Sequence, residues 1–412
     1  MSDVIVVGGG VIGLSTAEKL IHEGHSVKLI DPNIPGSQTS TGSAGLIADS
    51  ANTPLANSDT LKLLPRNLLD SQSGLSLDPL YLKDMYKFGF HFLKSSLSKN
   101  FKFNQRVLTE ILRISVDSHV EMTERTSGGH LVKQKGCLHL FKNSTMSADK
   151  IESIVKSKQA AGINCYTTTS DDVNSLEPDV SLDGLQGGIL YKDTMHLISP
   201  QDYSDQIFSH LLKQSRFEYL SEKVERVEQV DGKVDVLLSN SEISSDYVVL
   251  CGGLNNTALL SNLGVTAPII SERGYNVDLD DSDIILNRPV GLVNKYFFAT
   301  PMKNGIRLAG TTEFASQNKA EDISRYNFLE KWGGELFGRK VTKCSEWMGV
   351  RHSSPDSLPV ISPVPNSKRI IVSYGHGHLG LTMAAFTGLM VAKHIDQSAA
   401  GSLADKLSFG RF

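Results

Sequence analysis

The sequence contains little of several features that would each indicate a particular class of protein. Its 412 residues include only four cysteines, Cys137, Cys165, Cys251 and Cys344, and no C-x-x-C pair. Cysteines so widely separated give neither the ligand spacing of a zinc site nor a disulfide framework. We therefore expect no metal site, and the low cysteine content favours a reducing compartment.

Charge and hydropathy also lack the patterns of a nucleic-acid-binding or membrane-spanning chain. The 41 basic and 45 acidic residues give a formal net charge of −4, with no long run of one sign, whereas nucleic-acid binding calls for a basic patch. No apolar run reaches the ~20 residues that span a bilayer. The first predicted strand begins too close to Met1 to leave room for a signal peptide. We expect a cytoplasmic protein, or one at most peripheral at the inner face of the membrane.

Residues 4–31 carry the most informative pattern in the chain. The apolar run Val4–Val7 predicts a buried parallel strand, and the periodic apolar residues that follow predict a helix. A second apolar run, Val27–Ile30, ends on Asp31. Between the first strand and the helix, the glycines fit G-x-G-x-x-G. A strand, glycine turn, helix, second strand and acid in this order indicate dinucleotide binding far more specifically than the glycines alone.

Each glycine of this motif has a physical role. Gly8 allows the tight turn, Gly10 lets a pyrophosphate approach the backbone, and Gly13 lets the helix pack closely on the strand. The helix N-terminus presents unsatisfied N–H groups to phosphate oxygens, and the acid suits ribose hydroxyls. The cofactor contacts expected here are Gly8, Gly10, Val11, Ile12, Gly13 and Asp31.

A second glycine-containing turn lies near the other end of the chain. The predicted strand Arg369–Tyr374 is followed by Gly-His-Gly-His-Leu-Gly and a predicted helix over Leu379–Ile395. A third buried strand, near residues 248–251, ends in Gly252 and Gly253. Two helix N-termini and this strand favour one long anionic ligand held at several points. FAD has that length and charge; NAD is an alternative that gives no reason for the second turn.

The rest of the chain predicts a two-domain α/β protein, as its length suggests. Apolar periodicity at Leu61–Leu69 and Val107–Met122 indicates helices, and Ser199 followed by Pro200 predicts a helix start. Strands are predicted at Val224–Val230 and Val234–Leu238, joined by an Asp-Gly turn, and at Tyr296–Pro301. We expect a doubly wound cofactor domain of residues 1–48, 199–264 and 343–412. A second α+β domain on a mixed or antiparallel sheet would comprise residues 49–198 and 265–342.

Several motifs in order give the chain a family resemblance. They are Val6–Gly13, Ser40–Gly45, Val248–Gly253, Ser271–Tyr275, Trp347–Arg351, Pro355–Ile361 and Gly375–Thr382. Over nearly its whole length the chain resembles the FAD-dependent D-amino acid oxidase superfamily, and it looks most like the D-amino acid dehydrogenase branch. The resemblance implies FAD, a doubly wound cofactor domain and a sheet-based substrate domain.

The resemblance also implies which residues contact the cofactor. Some relatives attach flavin through a cysteine near the Gly-x-Arg motif, but Gly349 occupies that position here and Cys344 is displaced from it. Noncovalent FAD is therefore expected. The further contacts implied are Ser40, Thr41, Ser43, Ala44, Gly45, Leu46, Val224, Gly252, Gly253, Gly377, His378, Leu379, Gly380, Leu381 and Thr382.

Four residues are candidates for the substrate site. Arg351, in the Gly-x-Arg motif, matches the arginine that binds the substrate carboxylate in similar oxidases. Phe298 falls where those oxidases carry a tyrosine, so Tyr296, two residues earlier on the predicted strand, is a candidate substitute. Arg273 is a further candidate, although its Arg-Gly-Tyr run is also typical of a chain turn. His352, which follows Arg351 where proline is common, is a candidate without an assigned role.

The reaction implied is oxidation of a small amino acid, expected to have D configuration, by hydride transfer from Cα to flavin. Water then hydrolyses the imine to a 2-oxo acid, and the electrons pass to a quinone or another carrier. One alternative is oxidation of glycine, sarcosine, hydroxyproline, another N-substituted or cyclic amino acid, or a 2-hydroxy acid. A noncatalytic FAD-binding subunit is an alternative of another class.

Overall fold

A computed structural model describes residues 1–62, 73–266, 268–280, 283–398 and 401–412. The helix expected at Leu61–Leu69 lies, from residue 63 onward, outside the described residues. In chain order the strands are β1 (Asp3–Val7), β2 (Ser26–Ile30), β3 (Leu46–Ile47), β4 (Leu75–Leu77), β5 (Val132–Lys133), β6 (Cys137–Lys142), β7 (Cys165–Thr168), β8 (Leu185–Tyr191), β9 (Met195–Leu197), β10 (Phe217–Leu220), β11 (Val224–Val230), β12 (Lys233–Leu238), β13 (Glu242–Ser245), β14 (Tyr247–Leu250), β15 (Ile270–Leu279), β16 (Val290–Leu292), β17 (Phe297–Met302), β18 (Gly305–Phe314), β19 (Lys343–Ser353), β20 (Val360–Val364) and β21 (Ser367–Tyr374). The helices are α1 (Val11–His22), α2 (Tyr86–Ser95), α3 (Ser98–Arg125), α4 (Ala148–Ala160), α5 (Ser170–Leu176), α6 (Pro200–Leu211), α7 (Asn256–Asn262), α8 (Ile323–Phe337), α9 (Gly380–Ile395) and α10 (Ser402–Lys406).

A six-stranded sheet joins distant parts of the chain in the order β10-β2-β1-β14-β21-β20. Every neighbouring pair is parallel except β20 with β21. Alternate residues of β1 enter two different apolar cores: Val4 and Val6 pack with α1 and α9, whereas Ile5 and Val7 pack with β11 and β12. Burial on both faces explains the continuous apolar runs in these strands and confirms the predicted doubly wound α/β layer.

A nine-stranded mixed sheet forms the second layer of the protein. Its main path is β19-β15-β18-β17-β16-β6-β8-β7, and β4 pairs with β18. One face packs its apolar residues, among them Tyr275, Val277 and Leu308, against α8. The opposite face carries polar side chains of β15, β18 and β19 toward the cofactor half of the molecule. The predicted second sheet is therefore present, and its polar face positions the candidate site.

Two observations bear on the expected domain boundaries, which remain a prediction. Strand β19 (Lys343–Ser353) was expected in the cofactor domain, but it pairs along its whole length with β15 of the nine-stranded sheet. Helix α3 (Ser98–Arg125) was expected in the second domain, but its Leu108 and Ile111 belong to the same apolar core as Phe386 of α9. Strand β19 therefore lies in the second sheet, and α3 packs in the core beside the six-stranded sheet.

Several local elements agree with the sequence patterns. Ser199 caps α6, since its hydroxyl accepts the Asp202 N–H at 3.1 Å. Strands β11 and β12 form the predicted hairpin, and its two turn residues, Asp231 and Gly232, have φ angles of 45° and 81°. Among the described residues, no helix is both long and apolar enough to cross a membrane.

Candidate active site

The first glycine turn brings three pieces of backbone into direct contact. A Cβ on Gly13 would lie 1.8 Å from the carbonyl oxygen of Gly8, so only glycine lets α1 pack this closely on the turn. Gly8 itself has φ +106°, and its Cβ would lie 2.7 Å from the Gly252 nitrogen at the end of β14. Helix α1 begins at Val11 with Gly10 as its N-cap, which makes no side-chain capping bond. Apart from the Val11 N–H, which the Ser40 hydroxyl accepts, the N–H groups of the first turn therefore remain available to an anion.

Two side chains hold this turn in place. Ser40 accepts the Val11 N–H with its hydroxyl at 3.0 Å. Asp31 accepts the Gly9 N–H at 2.6 Å through Oδ2 and the Asn33 N–H at 2.8 Å through Oδ1. The acid therefore lies beside the glycine turn, and its role toward ribose stays a prediction. Val224, the first residue of β11, packs in the same apolar core as Val7 and Ile30, at the carboxyl ends of β1 and β2.

The small-residue loop from Ser40 to Gly45 lies between the two sheets. Asn276 of β15 donates through Nδ2 to the Gly42 carbonyl at 2.8 Å, and Arg307 of β18 donates to the Thr41 carbonyl at 2.7 Å. The indole of Trp347 covers Gly42, whose Cβ would lie 2.1 Å from a ring atom. Small residues are therefore required here because the loop backbone is enclosed by larger side chains from the nine-stranded sheet.

The second glycine turn joins β21 to α9 and meets the same loop. Gly375 and Gly377 have φ angles of 81° and 56°, a conformation that favours glycine. Thr382, in the first turn of α9, donates to the Leu46 carbonyl at 3.2 Å and accepts the Ala48 N–H at 3.3 Å. The N-terminus of α9 is thereby fixed next to the end of the Ser40–Gly45 loop. The expected contacts Leu379, Gly380 and Leu381 lie in this same turn.

Buried histidines around this helix start are neutral near pH 7. His119 of α3 lies against the Leu381 carbonyl, 2.7 Å from Nε2, and burial lowers its pKa to about 4. His376 lies 2.9 Å from the Thr387 hydroxyl, which itself donates to a helix carbonyl, so His376 Nε2–H is the donor. Burial lowers the pKa of His376 to about 3. His378, in the same turn, has an exposed side chain.

Arg351 projects from β19 onto the polar face of the nine-stranded sheet. Its Nη1 lies 3.1 Å from Oε1 of Glu272, the residue opposite it on β15. Glu272 is buried, and its other oxygen accepts the Ser353 hydroxyl. Burial acts to raise the pKa of Glu272, but Arg351, His378 and Ser353 outweigh it and lower that pKa. The pair is therefore a carboxylate and a guanidinium at neutral pH.

Two glycines make room for the guanidinium of Arg351. A Cβ on Gly274 would lie 2.2 Å from Arg351 Nη2 and 2.3 Å from Cζ, so the guanidinium lies across the Gly274 backbone. Gly349 is paired with Gly274 in the sheet, and the indole of Trp347 covers it. The Gly-x-Arg spacing thus has a steric cause, because any side chain at either glycine would displace an aromatic ring or the guanidinium.

The structure places Arg273 and His352, two of the other three substrate-site candidates, away from the face that carries Arg351. Arg273 follows Glu272 on β15 and points to the opposite side, where it is fully buried 3.1 Å from Glu313. His352 alternates with Arg351 in the same way and lies against Gly253, whose Cβ would be 2.4 Å from its ring. Burial lowers the pKa of His352 to about 4. Roles of Arg273 and His352 toward substrate remain predictions that these positions do not support.

Tyr296 differs from its expected geometry. It has φ 58°, a left-handed conformation that ends a short 3-10 turn, and β17 begins only at Phe297. The alternation that would have placed Tyr296 on the face of Phe298 is therefore broken, and half of the Tyr296 side chain is exposed. Phe298 shares the polar face through its register with Ala309 and Asn276. The ring of Phe298 packs 5.3 Å from that of His139.

The sequence reasoning assigned no role to four residues of this face, Glu272, Asn276, Arg307 and Trp347. The sequence of β15 could have indicated two of these residues. Glu272, Gly274 and Asn276 occupy every second position, and side chains at every second position of a strand share one face. Asn276 also leaves its Oδ1 buried without a hydrogen-bond partner among the described residues. An unsatisfied buried acceptor beside the Ser40–Gly45 loop fits a ligand that carries a hydrogen-bond donor.

The residues present suit a long anionic cofactor better than a metal. Two helix N-termini, at α1 and α9, and the glycine contact between β1 and β14 meet around one loop. In the described part of the chain, no group of three or more His, Cys, Asp or Glu side chains could hold a metal ion. The arrangement can bind a dinucleotide-sized ligand on one side and present Arg351 to a carboxylate on the other.

Comparison with known proteins gives matches that extend over nearly the whole chain. A family model described as FAD dependent oxidoreductase matches residues 3–394. The D-amino-acid oxidase of Bradyrhizobium diazoefficiens is 25% identical over 95% of this chain and 94% of its own. The D-amino acid dehydrogenase of Vibrio atlanticus is 25% identical over all of both chains. The crystal structure of glycine oxidase from Geobacillus kaustophilus superposes with a TM-score of 0.78 at 16% identity, covering 100% of this chain and 99% of that one.

Proposed function

The chain belongs to the family of FAD-dependent oxidoreductases, acting on amino acids, and on that premise we propose that it oxidatively deaminates a small D-amino acid. The products would be a 2-oxo acid and ammonia, formed by hydrolysis of the imine. One observation carries the proposal: Arg351 lies on the polar face, between Glu272 and Gly274, near the N-terminus of α9. The names of the two curated relatives support an amino acid of D configuration.

Arg351 would bind the substrate carboxylate. The guanidinium has five N–H donors in a planar fork, and Glu272 engages Nη1. The remaining N–H groups can donate to a carboxylate, while Glu272 and the Gly274 backbone fix the orientation of the plane. A fixed anchor of this kind serves oxidation at Cα, where catalysis depends on holding the Cα–H in line with the acceptor.

The charges of this face favour a substrate with one carboxylate. Arg351 pairs with Glu272, and Arg307 pairs with Asp278 through two hydrogen bonds of 2.8 and 3.0 Å. A second carboxylate on the substrate would therefore find no unpaired cation among these groups. D-alanine-like substrates should be preferred over D-aspartate and D-glutamate.

The cofactor would be held by the two helix N-termini and by the Ser40–Gly45 loop. FAD, when bound, supplies the acceptor for the hydride that leaves Cα. Ser40 and Asp31 keep the first glycine turn in shape, and Thr382 keeps the second helix start next to Leu46. Attachment should be noncovalent, because Cys137, Cys165 and Cys251 are buried and Cys344 lies against the Asp278 carbonyl. Acid precipitation should leave the flavin in the supernatant; colour in the pellet would contradict noncovalent binding.

Anaerobic bleaching of the flavin tests the substrate class. The panel comprises D- and L-alanine, D-aspartate, glycine, sarcosine, hydroxyproline, lactate and ethylamine, which lacks the carboxylate. We expect the fastest bleaching with D-alanine. Faster bleaching by sarcosine or hydroxyproline would instead assign an N-substituted or cyclic substrate, and no bleaching by any compound would favour a noncatalytic subunit.

Aerobic and dye-linked assays test the electron acceptor. The dehydrogenase relative favours a quinone or another carrier, so turnover with an artificial dye should greatly exceed peroxide formation in air. Equal rates would reassign the protein as an oxidase that reduces dioxygen.

A further inference from the structure

Helix α2 (Tyr86–Ser95) has two apolar faces, and only one of them packs against the protein. Phe88 is buried and stacks on Phe92 at a ring distance of 5.7 Å. Tyr86, Phe90 and Leu93, spaced by four and three residues, lie together on another face and are 68%, 67% and 57% exposed. Three large apolar side chains on one exposed helix face indicate a contact surface rather than scattered surface residues.

Further exposed apolar side chains lie close to this helix along the chain. Leu80 and Leu82 precede it and are largely exposed, and Leu97 and Phe103 are exposed after it. We call these four residues, with Tyr86, Phe90 and Leu93, the α2 surface. Elsewhere, exposed apolar side chains such as Ile34, Ile285 and Ile323 stand at separate positions in the chain.

The same segment is strongly basic in an otherwise acidic chain. Residues 80–103 contain five lysines and a single acid, Asp84, while the whole chain has a formal net charge of −4. By helical geometry, Lys87 and Lys94 border the face of Phe90 on one side. Lys87 Nζ lies 5.9 Å from the ring of Tyr86, so its stem runs along the apolar face. Lysines placed in this way can extend their ammonium groups outward while their stems cover apolar surface.

We propose that the α2 surface docks on a lipid bilayer that contains anionic lipids. A helix with an exposed apolar face and a basic border lies in the membrane interface, with its apolar side chains among the acyl chains. The lysines then meet the negative headgroups, which supply the complementary charge. The surface consists of one face of α2, its flanking turns and the start of α3, with no groove, and a fluid bilayer accommodates such a surface.

The surface is connected to the strand that carries Glu272. Tyr81 lies between Leu80 and Leu82, and its hydroxyl accepts the Ser271 N–H at 3.0 Å. Docking would therefore bring the β15 end of the substrate site close to the bilayer. A substrate site close to the bilayer can pass electrons to an acceptor dissolved in the membrane. Only this last step rests on the proposed function.

Vesicle sedimentation of the flavin-loaded, full-length protein tests the proposal. The vesicles are phosphatidylcholine alone, or phosphatidylcholine with one third phosphatidylglycerol. The wild type should sediment with the anionic vesicles, less so at high salt. Phe90→Ser/Leu93→Ser should weaken this partition by at least about tenfold, since each substitution removes an exposed apolar side chain that docking would bury in the bilayer. Lys87→Gln/Lys94→Gln should reduce binding to anionic vesicles only.

Ile285→Ser/Ile323→Ser is the matched control, because both isoleucines are exposed to a similar degree but lie outside the α2 surface. It should sediment like the wild type. All variants should keep their flavin absorbance, which shows that they fold and separates this test from the proposed function.

Two outcomes would overturn the proposal. The first is a wild type that stays in the supernatant with anionic vesicles, or a Phe90→Ser/Leu93→Ser variant that binds them equally well. The second is a wild-type dimer that this variant converts to a monomer without any vesicle binding. That result would assign the surface to a second copy of this chain.

Discussion

Replacing Arg351 tests the substrate anchor, but the structure shows that the single substitution has two effects. Arg351→Met removes the group proposed to bind the carboxylate. It also leaves Glu272 buried as a carboxylate without its cation, since Arg351 Nη1 lies 3.1 Å from Glu272 Oε1. Breaking a buried pair by removing one partner costs about 3–5 kcal/mol. Arg351 is 24% exposed, so we expect the lower end of that range. Activity and stability would therefore fall together.

The double variant Arg351→Met/Glu272→Gln separates the two effects. Glutamine keeps the shape of Glu272 and can still accept from the Ser353 hydroxyl, but it carries no charge. The double variant should recover most of the lost unfolding free energy, measured by urea denaturation, and should retain normal FAD content. It should not recover activity, because the guanidinium is still absent.

The expected loss of activity follows from the bond that disappears. A hydrogen bond to a charged group is worth about 1.5–3 kcal/mol, or roughly 10- to 150-fold in kcat/KM. This loss should appear with D-alanine and be much smaller with ethylamine, which never contacts Arg351. Arg351→Lys should recover only part of the activity, since lysine supplies a charge without the planar fork. Equal losses for both substrates, or loss of flavin from the double variant, would refute the assignment.

Three further predictions follow from single contacts. Gly13→Leu should abolish FAD binding, measured by absorbance of the purified protein, because a Cβ there would lie 1.8 Å from the Gly8 oxygen. Gly274→Ala should raise KM for D-alanine by about tenfold with flavin retained, since it displaces the Arg351 guanidinium; Gly89→Ala, where no atom lies within 4 Å, is the control. The third concerns His119, whose pKa is lowered by burial to about 4. Between pH 6.5 and 4 the unfolded chain binds the His119 proton more readily than the folded protein, so this residue's contribution to stability is present above pH 6.5 and is lost as the pH falls. Between pH 7 and 5, His119→Gln should therefore lose about 1–2 kcal/mol less unfolding free energy than the wild type. If the unfolding free energy of both proteins depended on pH in the same way, the lowered pKa of His119 would be contradicted.

The cofactor half was predictable because its signals are local. The glycine turn, both strands and α1 lie within residues 3–31, and their order reflects close packing that only glycine permits. The hairpin at Asp231 and Gly232 and the cap at Ser199 also depend on a few neighbouring residues. In each case the sequence determines the conformation before any distant contact forms.

The substrate face was less predictable because it depends on register between distant strands. Arg351 was predicted from a motif, but its partner Glu272 lies 79 residues earlier and is defined only by the pairing of β15 with β19. The same pairing places the adjacent Arg273 on the opposite side, with Glu313. Tyr296 was misplaced for a different reason: a left-handed residue at the start of β17 interrupts the alternation that the prediction assumed.

The order of strands in the six-stranded sheet has a consequence for biosynthesis. Strand β1 lies between β2 and β14, and β14 lies between β1 and β21, so the central sheet needs residues from both ends of the chain. In a nascent chain the edge of β1 stays unpaired until β14 ends at residue 250, and the edge of β14 stays unpaired until β21 ends at residue 374. Pairing over such sequence separations is slow. FAD stabilises only the completed sheet, by mass action, so flavin supply during expression should govern how much of the chain reaches the folded state.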